Sequence, residues 1–187
     1  PKKQVSAKIM TREPMILCGT AWANETFSSI DPMTDVEWCY QDGDRVEANK
    51  VLCHIHGRAR SILTAERTAL NFIQTLSATA TQTHRYVEKL TGLNTQLLDT
   101  RKTIPGLRYA QKYAVRCGGG TNHRHGLYDA FLIKENHIAA AGSIETALKA
   151  AEVLGQDKNL PIQIEVETLA QLETAIQAGA KLILLDN

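Results

Sequence analysis

Residues 161–187 read PIQIEVETLAQLETAIQAGAKLILLDN, and this stretch decides the fold. Ile162, Ile164 and Val166 alternate with Gln163, Glu165 and Glu167, the period of two that defines a strand with two unlike faces. From Leu169 the pattern turns amphipathic and helical and closes on a C-cap at Gly179, after which Leu182–Leu185 is again short and apolar. Strand, helix, strand in this order means parallel strands joined by right-handed crossovers, hence an α/β barrel or a doubly wound sheet.

Working upstream, the same rhythm predicts a strand over 130–133 and a helix that starts at Ser143 as N-cap and closes near Gly155. A further apolar run, 96–98, predicts an earlier strand. Each run ends in charge: Asp99, Arg101 and Lys102 after the first, Lys134, Glu135 and His137 after the second, Glu165 and Glu167 within the third, Asp186 after the fourth. In a parallel barrel the carboxyl ends of all strands converge on one face, so these charges meet around a single mouth. Taken alone, the third run also fits an edge strand with one solvated side; four runs that end alike favour the mouth. With the apolar set against the helices, Glu165 points inward.

Residues 1–60 predict a small α+β unit, with strand-like runs at 5–9, 35–39 and 51–55, a helix over 20–29 and a turn at Asp42-Gly43-Asp44. The stretch GDRVEANKVLCHIHG, 43–57, is similar to the hairpins of biotinyl and lipoyl carriers, which places Lys50 as a modification site in one competing reading. Residues 61–93 predict a helical connection whose apolar stripe is Ile62, Ala69, Ile73, Leu76 and Ala80, with Arg67, Asn71 and Gln74 on the opposite face. The expected organisation is α/β: a small N-terminal α+β domain, the helical connection, and over 94–187 the first part of a parallel α/β barrel. A closed barrel takes about 200 residues or more, so the chain is expected to stop after about four barrel strands, and the absence of an initiator methionine points the same way.

Composition narrows the function. With 21 Lys and Arg against 20 Asp and Glu the formal net charge is +1, too balanced for a general nucleic-acid or membrane surface. No apolar run approaches the roughly 20 residues of a membrane helix. The four cysteines, Cys18, Cys39, Cys53 and Cys117, lack the close spacing of zinc or redox motifs and read as reduced, mostly buried thiols. Pro1-Lys2-Lys3-Gln4 runs straight into a strand without a secretory segment, and a cytoplasmic address is expected. An anion site must therefore be a local cluster. Arg101, Lys102, Lys134, Glu165 and Asp186 supply one at the predicted mouth, and GGGTNHRHG adds His123 and Arg124 behind Gly118, Gly119 and Gly120, whose missing side chains permit close approach to a ligand. Neither a G-x-G-x-x-G fingerprint nor a Walker-type loop is present. Several cations with two separated carboxylates suit a phosphoryl-rich donor, a carboxylated acceptor and a bridging divalent metal.

The segments ERTALNFIQTLS, DTRKTIPGLRYAQKYAVRCGGGTNHR, DAFLIKENHI, IEVE and LILLDN, in this order and spacing, resemble the successive motifs of the quinolinate phosphoribosyltransferase family. The resemblance spans the chain, with the first 60 residues matching more loosely. It implies that quinolinate and 5-phosphoribosyl 1-pyrophosphate combine with loss of carbon dioxide to give nicotinate mononucleotide. It also implies that Arg67, Arg101, His123 and Arg124 grip the carboxylates of quinolinate, with Arg67 reaching in from a neighbouring subunit of a homodimer. Lys102 and Lys134 would line the same pocket and neutralise the donor, while Glu165 and Asp186 would hold the ribose hydroxyls and the magnesium-associated pyrophosphate, directly or through water. Those four are the implied catalytic set. The family register favours Glu165 over Glu167, and Gln163 stands where many members carry an acid. Asn136 and Asn187 are candidates only for orienting their neighbours. Glycine-rich loops that receive the ribose 5-phosphate in the family have no counterpart before Asn187. The competing readings are a molybdenum-transport-associated relative, a non-catalytic barrel that binds a phosphorylated metabolite, and the Lys50 carrier.

Overall fold

Val5, Ala7 and Ile9 turn to one side of strand β1 (Gln4–Met10) while Ser6 and Lys8 turn to the other, so the strand has one face to bury. In the computed structural model, which describes residues 3–155 and 160–186, that face is half-buried against the core. The chain divides into two units, Pro1–His123 and Arg124–Asn187.

In the first unit β2 (Met15–Ile16), α1 (Thr20–Ile30), β3 (Asp35–Trp38), β4 (Arg45–Val46) and β5 (Val51–Arg58) follow β1. β5 is the centre of a three-stranded antiparallel sheet of order β1-β5-β3, and β2 pairs with β4. Because β4 and β5 have different partners, Lys50 does not sit at the tip of a two-stranded hairpin, and the geometry of a carrier lysine is missing. The 31-residue helix α2 (Ala59–Lys89) covers the sheet with Ile62, Ala65, Ala69 and Ile73, joined by Phe27 of α1 and by Leu52 and Ile55 of β5. Farther along, Leu76 and Ala80 receive Ile16 and Cys18 and the alanines of α3 (Arg108–Cys117). The four cysteines are free: burial pushes the Cys18 thiol up and that of Cys53 up to about 11, Cys117 is half-buried, and Cys39 departs from the expectation by lying exposed.

The sequence pattern does not show α3. Its buried positions are Ala110, Lys112 and Ala114, two small residues and a lysine, so no stripe of large apolar side chains announces it. The predicted strand at 96–98 is reduced to a single parallel bridge, Leu98 to Thr121. Only Leu97 and Leu98 are apolar there, and their partner is a glycine-rich loop, too short to extend a ladder.

In the second unit β6 (Phe131–Ile133), β7 (Ile162–Val166) and β8 (Leu182–Leu185) form a parallel sheet of order β6-β7-β8. Between them run α4 (Glu135–Ala141), α5 (Ile144–Gly155) and α6 (Leu169–Gln177). Ile164 and Val166 are buried against Ile144, Leu148 and Ala151, as their alternation predicts. Ser143 accepts from Thr146 N at 3.2 Å at the start of α5, and Thr168 accepts from Gln171 N at 3.2 Å at the start of α6. Gly179 takes φ 86° behind α6, a left-handed turn that suits glycine. The α4 turn was not expected; it occupies the charged residues that follow β6. Pro1, Lys2 and Asn187 lie outside the described residues.

The joint between β5 and α2 is electrostatic. Asp31, 1% exposed, accepts from Arg58 Nε at 2.7 Å, Ser61 Oγ at 2.8 Å and Met33 N at 3.2 Å. The hydrogen bond from Arg58, then that from Ser61, holds its carboxyl far below the usual carboxylate range against the opposing effect of burial. A depressed folded-state pKa contributes stability that is complete above the unfolded value, about 3.9, and is lost as pH falls from there. Asp31→Asn is therefore expected to lower the melting temperature at pH 7, with the gap to the parent narrowing below about pH 4. A gap that stays constant from pH 7 to pH 3 in thermal melts would mean the ionised carboxylate contributes nothing.

Candidate active site

The bridge between Leu98 and Thr121 draws two loops together, because Asp99 N donates to Thr121 O at 3.1 Å and Thr121 N to Leu97 O at 2.8 Å. One loop carries Arg101 and Lys102, the other His123. Lys102 is exposed, and its backbone N–H bonds Thr100 Oγ1 at 3.0 Å. Arg101 is half-buried; its carbonyl accepts from Arg108 Nη2 at 3.4 Å, while its own Nε is buried with no hydrogen-bond partner among the described residues. A buried guanidinium donor left unpaired costs roughly 1 to 3 kcal/mol or more, and an anion arriving there removes that cost. His123 is fixed through its backbone: N donates to Asp99 Oδ1 at 2.8 Å and O accepts from Lys112 Nζ at 2.9 Å.

Arg67 lies apart from these residues, exposed on α2 and facing a groove of about 910 Å³ that Arg12, Glu13, Gln74 and Arg85 also line.

The second unit holds the rest of the predicted set. Lys134 Nζ meets Glu165 at 2.9 Å; the lysine side chain is 42% exposed and the carboxylate 11%. Glu165 thus points away from the helix-covered face of β7, as its place opposite Ile164 and Val166 requires. The hydrogen bond to Glu165 raises the Lys134 pKa, burial opposes it, and Glu165, Glu135 and the nearby Asp186 add to the rise. Asp186 is exposed and is anchored by its N–H to Val166 O at 3.0 Å. Arg124 Nη1 bonds Ala130 O at 3.3 Å. Asp129 closes the same turn, accepting from His125 N at 2.7 Å and Gly126 N at 3.1 Å, so its carboxyl is held below the usual range although burial works the other way. Lys134 N donates to His137 Nδ1 at 3.1 Å, which gives His137 a place in the α4 turn.

The glycine run works differently from its expected role. Gly119 takes φ 88°. At Gly118 an added Cβ would come within 2.4 Å of Ala80 O and 2.7 Å of Thr83 Cβ, so the close approach is to helix α2. Sequence reasoning missed Lys112 and Asn122, both bonded to Asp99; the lysine's place between small residues of an unrecognised helix hid it. Among the described residues no three His, Cys, Asp or Glu side chains gather as a metal site, and no helix is long and apolar enough to cross a membrane.

Comparison with known proteins is consistent along the whole chain. The N-terminal domain of quinolinate phosphoribosyl transferase matches residues 1–77 and the C-terminal domain matches residues 79–187. A curated nicotinate-nucleotide pyrophosphorylase (carboxylating) from Mycobacterium leprae is 41% identical over 185 residues, covering 98% of this chain and 64% of that protein. The solved nicotinate-nucleotide pyrophosphorylase of Francisella tularensis is 52% identical with a TM-score of 0.96 and covers all of this chain and 66% of that one. That of Ehrlichia chaffeensis is 37% identical with a TM-score of 0.92, covering 100% of this chain and 68% of that one. The chain thus spans about two thirds of the length of these relatives.

Two outcomes follow from the geometry. Gly118→Ala forces its Cβ against the Ala80 carbonyl and is expected to destabilise the protein by about 1 to 3 kcal/mol, read as a lowered midpoint in denaturant melts; an unshifted midpoint means α2 yields freely there. Glu165→Gln removes the main cause of the raised Lys134 pKa, so the ammonium should titrate at lower pH in an NMR titration of the lysine side chains. An unmoved titration would show that Glu165 does not set it.

Proposed function

Because the chain belongs to the quinolinate phosphoribosyl transferase family, we propose that the protein transfers a phosphoribosyl group from 5-phosphoribosyl 1-pyrophosphate to the ring nitrogen of quinolinate, with loss of carbon dioxide. The observation that carries this reading is the buried Nε of Arg101, which has no hydrogen-bond partner among the described residues, on a loop tied to that of His123. A planar guanidinium fork suits a carboxylate, and quinolinate offers two. Arg101 and His123 would take the acceptor carboxylates with Arg124, and Lys102 and Lys134 would neutralise the donor.

In the reaction the pyridine nitrogen's lone pair attacks the anomeric carbon and the bond to pyrophosphate breaks with its electrons. The ring nitrogen becomes cationic. The carboxylate beside it then leaves as carbon dioxide, the electron pair stays on the ring carbon next to the charged nitrogen, and a proton takes the vacated place. Little general acid–base work is required: the protein holds two mutually repelling anions together and stabilises departing charge. Lys134, directed by its hydrogen bond to Glu165 and still 42% exposed, is suited to the second task.

Magnesium belongs to the proposal as the ion that neutralises the donor pyrophosphate. Such an ion keeps several waters and binds through one or two carboxylates plus phosphate oxygens. The donors present fit this: Asp186 is exposed beside Lys134, Glu165 already serves the lysine, and no group of three ligands competes among the described residues. A homodimer is proposed on the position of Arg67, exposed in a groove of its own unit and suited to reach a second copy's acceptor site. The free cysteines accord with a cytoplasmic, reducing address.

The test is release of carbon dioxide from carboxyl-labelled quinolinate with donor and magnesium. Arg101→Ala is expected to raise the quinolinate KM by about 10- to 150-fold, the equivalent of a charge-assisted hydrogen bond of roughly 1.5 to 3 kcal/mol, or to abolish turnover. Unaltered kinetics in that variant would remove quinolinate from the assignment.

A further inference from the structure

We propose that Asp99 and Lys112 form a buried positioning pair that fixes the two acceptor-binding loops against each other and thereby sets affinity for the carboxylated acceptor. The inference rests on the reading of the site given above and deepens it. Lys112 and Asp99 are the most deeply buried ion pair among the described residues, with side chains 1% and 7% exposed. Lys112 Nζ bonds Asp99 Oδ1 and also donates to His123 O at 2.9 Å. The same Oδ1 accepts from His123 N at 2.8 Å, and Oδ2 accepts from Asn122 Nδ2 at 2.6 Å, which also bonds Lys112 O at 2.8 Å. One carboxylate thus gathers the loop of Arg101, helix α3 and the loop of His123.

A buried ion pair is a poor device for stability alone, since apolar residues of like volume often do as well or better. Helix α3 does not need it for packing: Ala110 and Ala114 seat the helix against Leu76 and Ala80, and Lys112 leaves from another side. The pair achieves what apolar packing does not, which is direction. His123 is held at both its N–H and its carbonyl, relative to a residue two positions before Arg101. The lysine also cancels a carboxylate that would otherwise lie beside cations meant for an anion, where its field would oppose the acceptor.

The experiment uses the full-length protein, with steady-state kinetics in each substrate and melting curves for every variant. Asp99→Asn and Lys112→Met are each expected to raise the quinolinate KM by about 10- to 100-fold, the scale of a small misplacement of binding groups, while kcat and the donor KM change by less than about 3-fold. The double variant should be no weaker than the worse single one, because both act through one contact. Asn122→Ala removes one bond of the set and keeps the pair; it should raise the same KM by about 3- to 10-fold, and it serves where the other variants do not fold. If the parent turns over quinolinate and the folded variants keep its acceptor KM, or lose kcat and both KM values together, the pair is merely structural and the proposal falls while the proposed function stands. A parent that does not turn over quinolinate removes the proposed function, and this inference with it.

Discussion

Along α2, Ile62, Ala65, Ala69 and Ile73 close the N-terminal sheet, and over the following turns Leu76 and Ala80 accept β2 and α3. A helix of 31 residues is about 46 Å long at 1.5 Å per residue, enough to serve two layers with one stripe. The first unit depends on the small residues of that stripe. Alanine lets backbone approach closely, and Gly118 comes so near Ala80 that no side chain fits between them. The loop that ends in His123 therefore starts from a point fixed by the far half of α2. The same loop is tied at its other end to Asp99, so both its ends are determined by packing and hydrogen bonds before any ligand arrives.

A cationic side chain keeps one direction only where an acceptor holds it. Carboxylates do this for Lys112 and Lys134, and a carbonyl does it for Arg124. Glu165, read from the sequence as part of a magnesium and ribose set, hydrogen-bonds Lys134 and so directs the lysine side chain. Arg101 differs, since its Nε is buried without a hydrogen-bond partner among the described residues. A buried donor left unmet is where an arriving acceptor makes binding energy available.

The parallel sheet, the long helix and the place of Glu165 opposite the helix-covered face of β7 were legible because each is written in periodicity: two for β7, about 3.6 for α2. The charged strand ends were legible for the same reason, and Lys134, Glu165 and Asp186 do lie near one another. Helix α3 was not. A helix held by Ala110, Ala114 and a buried lysine has no hydrophobic stripe, and its lysine looks like surface until Asp99 is placed beside it. The run at 96–98 erred the other way: two leucines read as a strand, yet strands need a partner ladder and only one bridge forms. The glycines were recognised as permitting close approach, but which neighbour approaches is a tertiary fact that no local pattern records.

The two lysine–carboxylate pairs differ in a way that assigns them different work. Lys134 is 42% exposed and Lys112 is 1% exposed. A half-exposed ammonium can exchange a carboxylate for a phosphate because water covers whichever partner is released, so the exchange costs little. A buried ammonium that loses its carboxylate leaves an uncompensated charge in a medium of low polarity, at a cost of several kcal/mol. Lys112 is therefore tied to Asp99 more firmly than Lys134 is to Glu165. Residue type alone makes the two lysines equivalent; burial separates them.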